Sequence, residues 1–234
     1  MSTAVMNLNS NRASRFYDAT IGKKAVMAVS GLMLFGFVLA HMLGNLKLYL
    51  GAEHLNAYAV FLRNVGQPAV PPGGVLWIAR LVLLTAVGLH AWSAWSIFVM
   101  NRRARPQAYA ERQGIAMTYA SRTMRWGGVI LLAFVVFHLL HLTTGTVHPS
   151  YREGEVYHNV VAGFQVWWVA AFYIVAQLAL GLHLYHGLWS LFQSLGLNHP
   201  RYNRWRRVFA QVFALVVTLG NISFPVAVLT GWVS

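Results

Sequence analysis

The sequence predicts an all-α integral membrane protein with five transmembrane helices, and three observations carry that expectation. Of 234 residues, 57% are hydrophobic and only 10% charged, a balance too apolar for a soluble domain of that length. Several apolar runs exceed the roughly 20 residues that an α-helix needs to cross a hydrocarbon core about 30 Å thick. The alternating ten-residue segments of an outer-membrane barrel are missing. The expected architecture is a four-helix bundle plus a fifth helix, forming a single membrane domain over residues 1–234.

Residues 1–22 are largely polar, with Arg12, Arg15 and Asp18, and lack a short apolar core before a cleavage site, so no removable signal peptide is expected. Ser14 to Tyr17 read instead as part of a short interfacial helix. The first membrane helix is expected at about 24–49. Pro68, Pro71, Pro72, Gly73 and Gly74 mark the following loop as non-helical and fix the start of a second helix at about 75–100; between them Leu55 to Arg63 read as a short helix in the interface. Helices three to five are expected at about 124–146, 164–195 and 208–232. Pro106 and Pro200 punctuate the connections, and Pro225 is expected to kink the fifth helix.

The formal charge is +13. In a soluble chain that would suggest nucleic acid, but here the basic residues lie between apolar runs, where topology explains them better. Fourteen of the eighteen fall in three segments on one side of the membrane: Arg12, Arg15, Lys23 and Lys24; Arg102, Arg103, Arg105, Arg112, Arg122 and Arg125; and Arg201, Arg204, Arg206 and Arg207. Only Lys47, Arg63, Arg80 and Arg152 fall on the other. The N-terminus is therefore expected in the cytoplasm and the C-terminus outside, in the inner membrane of a prokaryote. The chain has no cysteine, which excludes a disulfide, a thiolate-held iron–sulfur cluster and a covalent CxxCH haem.

Four of the apolar runs carry histidine: His41, His90, His138 with His141, and His183 with His186. Converted to depth at about 1.5 Å per residue, His41 and His138 lie roughly 12–15 Å below the outer surface, and His90 and His183 roughly 22–28 Å. A polar ring in hydrocarbon requires a partner. Imidazoles on facing helices at matched height are what bis-histidine haem ligation requires, and two matched levels point to two haems stacked across the membrane. Gly31, Gly36, Gly44, Gly88, Gly181 and Gly187 lie near these histidines. They are compatible with a ring approaching the backbone and equally with ordinary small-residue packing between helices.

At this point a resemblance enters. IGKKAVMAVSGLMLFGFVLAHMLGNLKLY (21–49), ARLVLLTAVGLHAWSAW (79–95), VVFHLLHLTTGTV (135–147) and GLHLYHGLWSLFQSLG (181–196) closely resemble the membrane helices of the di-haem cytochrome b membrane anchor of succinate:quinone oxidoreductases and the related fumarate reductases. H-x-x-G-N and H-x-x-x-G-L-W are weak singly and strong in this order on successive spans. The resemblance implies a haem-binding bundle that takes electrons from an iron–sulfur subunit, itself fed by a flavoprotein with covalent FAD, and passes them to a membrane quinone. It implies two haems b, with His41 and His138 as iron ligands of the distal haem and His90 and His183 of the proximal one. His141 and His186 are the competing ligands, or accessory groups toward a propionate or a quinone. Arg80 is an accessory candidate for a distal propionate, against simple snorkelling to the interface. Lys47, Glu53 and His54 are candidates for the quinone site, and menaquinone is expected rather than ubiquinone. The expected partners are the flavoprotein and iron–sulfur subunits, membrane lipid and quinone, and not nucleic acid.

The expected parent complex is a succinate dehydrogenase, with a fumarate reductase as the alternative; the sequence leaves the physiological direction open. A cytochrome b of a hydrogenase or formate dehydrogenase is a third reading within the redox class. A non-redox transporter with a histidine proton relay is disfavoured, because Asp and Glu are absent from the middle of every span.

Overall fold

The computed structural model describes residues 19–104, 119–197 and 199–234. The expected interfacial helix at Ser14 to Tyr17, with Arg12, Arg15 and Asp18, lies outside them, as do Arg105, Pro106 and Arg112. Seven α-helices and no strand are found among the described residues: α1 (Thr20–Asn45), continued by a 3₁₀ turn (Leu46–Leu50); α2 (Ala52–Asn64); α3 (Gly74–Arg103); α4 (Tyr119–His138), continued by a π turn (Leu139–Thr143); α5 (Val156–Gln165); α6 (Trp167–Ser194); and α7 (Pro200–Leu229). Five helical segments are long and apolar enough to span a membrane, with windows of mean hydropathy 1.5–2.2. The protein is a multi-pass α-helical membrane protein.

The expected short helix between the first two spans is α2, and α3 begins directly after Gly73, whose φ of +78° is left-handed. Several boundaries differ from expectation. The fifth span starts at Pro200 instead of 208: the His199 side chain accepts from the Arg201 N–H at 3.2 Å, and proline at the first helical position needs no amide partner, so the charged stretch RYNRWRR is helical rather than loop. The fourth span starts at Trp167 instead of 164. Val166 is extended, and the preceding residues form the separate helix α5; Gly163, the breaker in GFQVWW, lies inside α5 and not at the break. Tertiary contacts hold α5 instead: the Tyr157 N–H donates to Asn56 Oδ1 of α2 at 3.0 Å, and Asn159 exchanges two 2.8 Å hydrogen bonds with the backbone of Arg152. The third span ends at Thr143 rather than 146. Helix α7 runs through Pro225 without interruption.

The tightest packing joins α6 to α7, α1 to α3 and α4 to α6; α1 also touches α6 and α7. Gly181 of α6 admits the side chain of Thr218, and Gly220 of α7 admits Met42, as small residues at membrane helix crossings do. Tyr49 closes the α1–α7 contact by donating to Ser223 at 2.6 Å. Arg206, at 6% exposure, spans from α7 back to the end of α6, donating to the Leu197 carbonyl at 2.6 Å and stacking 4.8 Å over Trp189. Packing is uneven. In the apolar windows of α6 and α7, 33% and 39% of residues are buried within the chain, against 6% in each of α3 and α4.

Candidate functional site

His41 on α1 and His138 on α4 meet with ring centroids 5.9 Å apart and planes at 88°. His90 on α3 and His183 on α6 meet at 6.1 Å and 62°. The helices that carry each pair, α1 with α4 and α3 with α6, are not among the closely packed neighbours, so each pair of rings meets between helices that do not otherwise pack tightly. Apart from His138, His41 stacks on Phe37 at 5.3 Å and remains exposed in its span. An accessible imidazole at that depth is costly unless something other than hydrocarbon faces it.

The residues present fit an axial pair. Two imidazoles each bound through one nitrogen to a common metal at about 2 Å place their centroids about 6 Å apart. The tautomer is set for this at His90, whose Nδ1 lies 3.0 Å from the Met27 carbonyl on α1. A carbonyl only accepts, so Nδ1 carries the proton and Nε2 is left bare for a metal, the usual arrangement behind a ligating histidine. Gly31, one turn along from Met27, makes the approach possible: a Cβ there would sit 3.1 Å from His90 Cε1 and 3.3 Å from Nδ1. His183 keeps a buried Nδ1 that no protein group satisfies. Among the described residues no three His, Asp or Glu side chains converge as a closed metal cage requires.

The paired histidines and their neighbours do not share one environment. The π turn, marked by the 2.9 Å hydrogen bond from the Thr144 N–H to the Leu139 carbonyl five residues back, is one residue wider than an α turn. It carries His141 further off the face of His138 than α spacing would. His141 is fully buried, stacked between Phe137 at 5.4 Å and His148 at 4.8 Å, over Gly163, where a Cβ would lie 2.6 Å from its ring. Its Nδ1 is 3.0 Å from the Tyr173 hydroxyl on α6, which is also 3.2 Å from His138 Nδ1. His148 is tied on both nitrogens: Nε2 donates to the Asn159 carbonyl at 2.8 Å, and Nδ1 accepts from the Ser150 N–H at 3.1 Å. His186 is half-buried, one turn beyond His183.

The remaining candidates lie apart from the histidine pairs. Lys47 sits on the 3₁₀ turn with its ammonium 5.4 Å from the Tyr58 ring, and Glu53 and His54 are exposed in the first turn of α2. Arg80 is exposed, stacks 4.9 Å over Trp77, and lines a shallow pocket with Arg63, Pro72, Gly73 and Leu76. Of the six glycines, Gly31 packs on His90, Gly44 on Tyr58 and Gly181 on Thr218, whereas Gly36, Gly88 and Gly187 face open space. Tyr173, His148 and Ser30, whose hydroxyl lies 3.4 Å from His90 Nδ1, escaped the sequence reading. A tyrosine inside the apolar run WWVAAFYIVAQLALGLH was the available signal.

The sequence matches the family described as succinate dehydrogenase/fumarate reductase transmembrane subunit over residues 99–220. The chain belongs to that family. Neither a curated protein nor a solved structure matched. Within this transmembrane subunit the matched stretch contains α4 and α6, hence His138, His141, His183 and His186, while His41 and His90 precede it.

Proposed function

We propose that the chain is the di-haem cytochrome b anchor of a succinate:quinone oxidoreductase, with His41 and His138 as axial ligands of one haem b and His90 and His183 of the other. The observation that carries the reading is the meeting of two histidine pairs, at 5.9 and 6.1 Å, across helices that are not among the closely packed neighbours. Held by a pair of histidines each, haem groups would supply one-electron transfer. The residues of this chain orient and insulate: Met27 fixes the proton of His90 on Nδ1, Tyr173 holds His138, and apolar spans exclude water.

Charge supports one end of the bundle as the docking face for the partners. Arg102 and Arg103 end α3, Arg125 near the start of α4 stacks over Phe98 of α3 at 5.0 Å, and Arg201, Arg204 and Arg207 stand exposed in the first turns of α7. This basic end is the proposed cytoplasmic face, where an iron–sulfur subunit and its flavoprotein dock. The His90/His183 pair is nearer to it, so a haem held there would receive electrons from that face, and one held by the His41/His138 pair would serve a membrane quinone, menaquinone in this reading. Arg206 takes no part in docking, because it is buried on Trp189.

The test is a reduced-minus-oxidised spectrum of the purified complex with pyridine haemochrome quantitation, for which two haems b per chain are expected. H41A or H138A removes one component and H90A or H183A the other. Both components surviving all four changes overturns the ligand assignment, and a folded complex without haem overturns the function.

A further inference from the structure

We infer that Tyr173 and His141 form a one-way hydrogen-bond chain that orients His138 and lowers the reduction potential of the haem it binds. The inference rests on the proposed ligation by His41 and His138. A histidine that gives one nitrogen to iron carries its proton on the other. For His138 that nitrogen is Nδ1, which then donates to the Tyr173 oxygen 3.2 Å away.

A tyrosine hydroxyl has one proton to give, and its other neighbour is His141 Nδ1 at 3.0 Å. His141 therefore accepts on Nδ1 and holds its own proton on Nε2, a nitrogen that is buried without a hydrogen-bond partner. Nothing lets the ring turn over. His141 is 0% exposed, stacked on Phe137 and His148, and Gly163 beneath it leaves no spare room. His148 is fixed in turn by Asn159 and Ser150.

The chain thus runs from His138 through Tyr173 to His141 and stops. By giving its proton away, the tyrosine oxygen becomes a stronger acceptor, which makes His138 more electron-donating and favours oxidised iron. The other pair lacks this device: His90 donates to a backbone carbonyl, and His183 Nδ1 has no partner. Tyr173 is a positioning residue, acting only through His138.

The experiment is potentiometric titration of both haems in the intact complex, with the low-spin ferric EPR signal as a second readout of ligand orientation. In Y173F the one-electron reduction equilibrium of the His41/His138 haem should rise about tenfold, or about 59 mV, while the other haem stays put. H141L should shift it the same way by less, and H141N, whose amide oxygen stands near the former Nδ1, should bring it back. An unmoved potential in both Y173F and H141L, or an equal shift of both haems, overturns the inference. If Y173F does not load that haem, the comparison of H141L with H141N decides, and identical potentials refute it. Absence of haem from the unsubstituted complex would instead defeat the di-haem reading.

Discussion

Gly31→Ala separates a demand of the helix from a demand of the site. Alanine is favoured over glycine inside a helix by about 1 kcal/mol, so on propensity alone α1 gains. The added Cβ, however, would stand 3.1 Å from His90 Cε1 and 3.3 Å from Nδ1, which forces the ring back by a few tenths of an ångström. His90 is held on that side by its 3.0 Å bond to the Met27 carbonyl. Such a retreat takes that bond to the edge of hydrogen-bonding distance, and an orphaned buried donor costs about 1–3 kcal/mol. The two effects nearly offset one another in folding, so thermal stability should change little. Orientation of the ligand should not escape: losing the group behind a ligating histidine typically costs about 10–100-fold in metal affinity. The assay is the haem-to-protein ratio and difference spectrum at limiting haem, with Leu84→Ala, at a residue 65% exposed on α3, as the control for a bland change. G31A should lose only the component that H90A loses. Full occupancy of both components at limiting haem would refute the reasoning.

Other substitutions probe the frame. Gly163→Ala drives a Cβ to within 2.6 Å of buried His141 and should destabilise the fold by about 1–3 kcal/mol, read as a lower midpoint in detergent unfolding. Arg206→Ala removes the 2.6 Å tie between α7 and the Leu197 carbonyl just beyond α6 and should cost about 1.5–3 kcal/mol while leaving both haem spectra unchanged. Tyr49→Phe deletes the 2.6 Å bond to Ser223 and should cost about 1 kcal/mol by the same measurement. Asn159→Ala opens both bonds to the Arg152 backbone and should speed proteolysis in the 144–155 loop, checked by mapping the cleavage sites.

The five spans were legible because hydropathy acts over the whole length of a helix, and local wording barely matters to it. Local events were harder to read. The early start of α7 depends on one side chain capping one amide, His199 to Arg201, in a stretch whose charge argues for loop. The break at Val166 depends on α2 and α7 holding α5 in place, which no residue near the break announces. For the histidines, depth was legible as arithmetic along a rod. The different surroundings of His138 and His141 were not, because a π turn changes the angle per residue without leaving a mark in composition. Tyr173 was invisible for the opposite reason: its partners are about thirty residues away on another helix, and a lone tyrosine in an apolar run reads as filler.

The sparse burial of α3 and α4 bears on how such a protein matures in the cell. With 6% of residues buried in each apolar window, these two helices keep most of those residues away from the polypeptide, even though α3 packs on α1 and α4 on α6. On the proposed di-haem reading such a bundle would be completed by its prosthetic groups, and anything that binds only the native arrangement adds to its stability in proportion to the logarithm of supply. Haem starvation should therefore deplete the polypeptide and not merely bleach it, with membrane proteases removing chains whose third and fourth helical segments never found a centre to close upon.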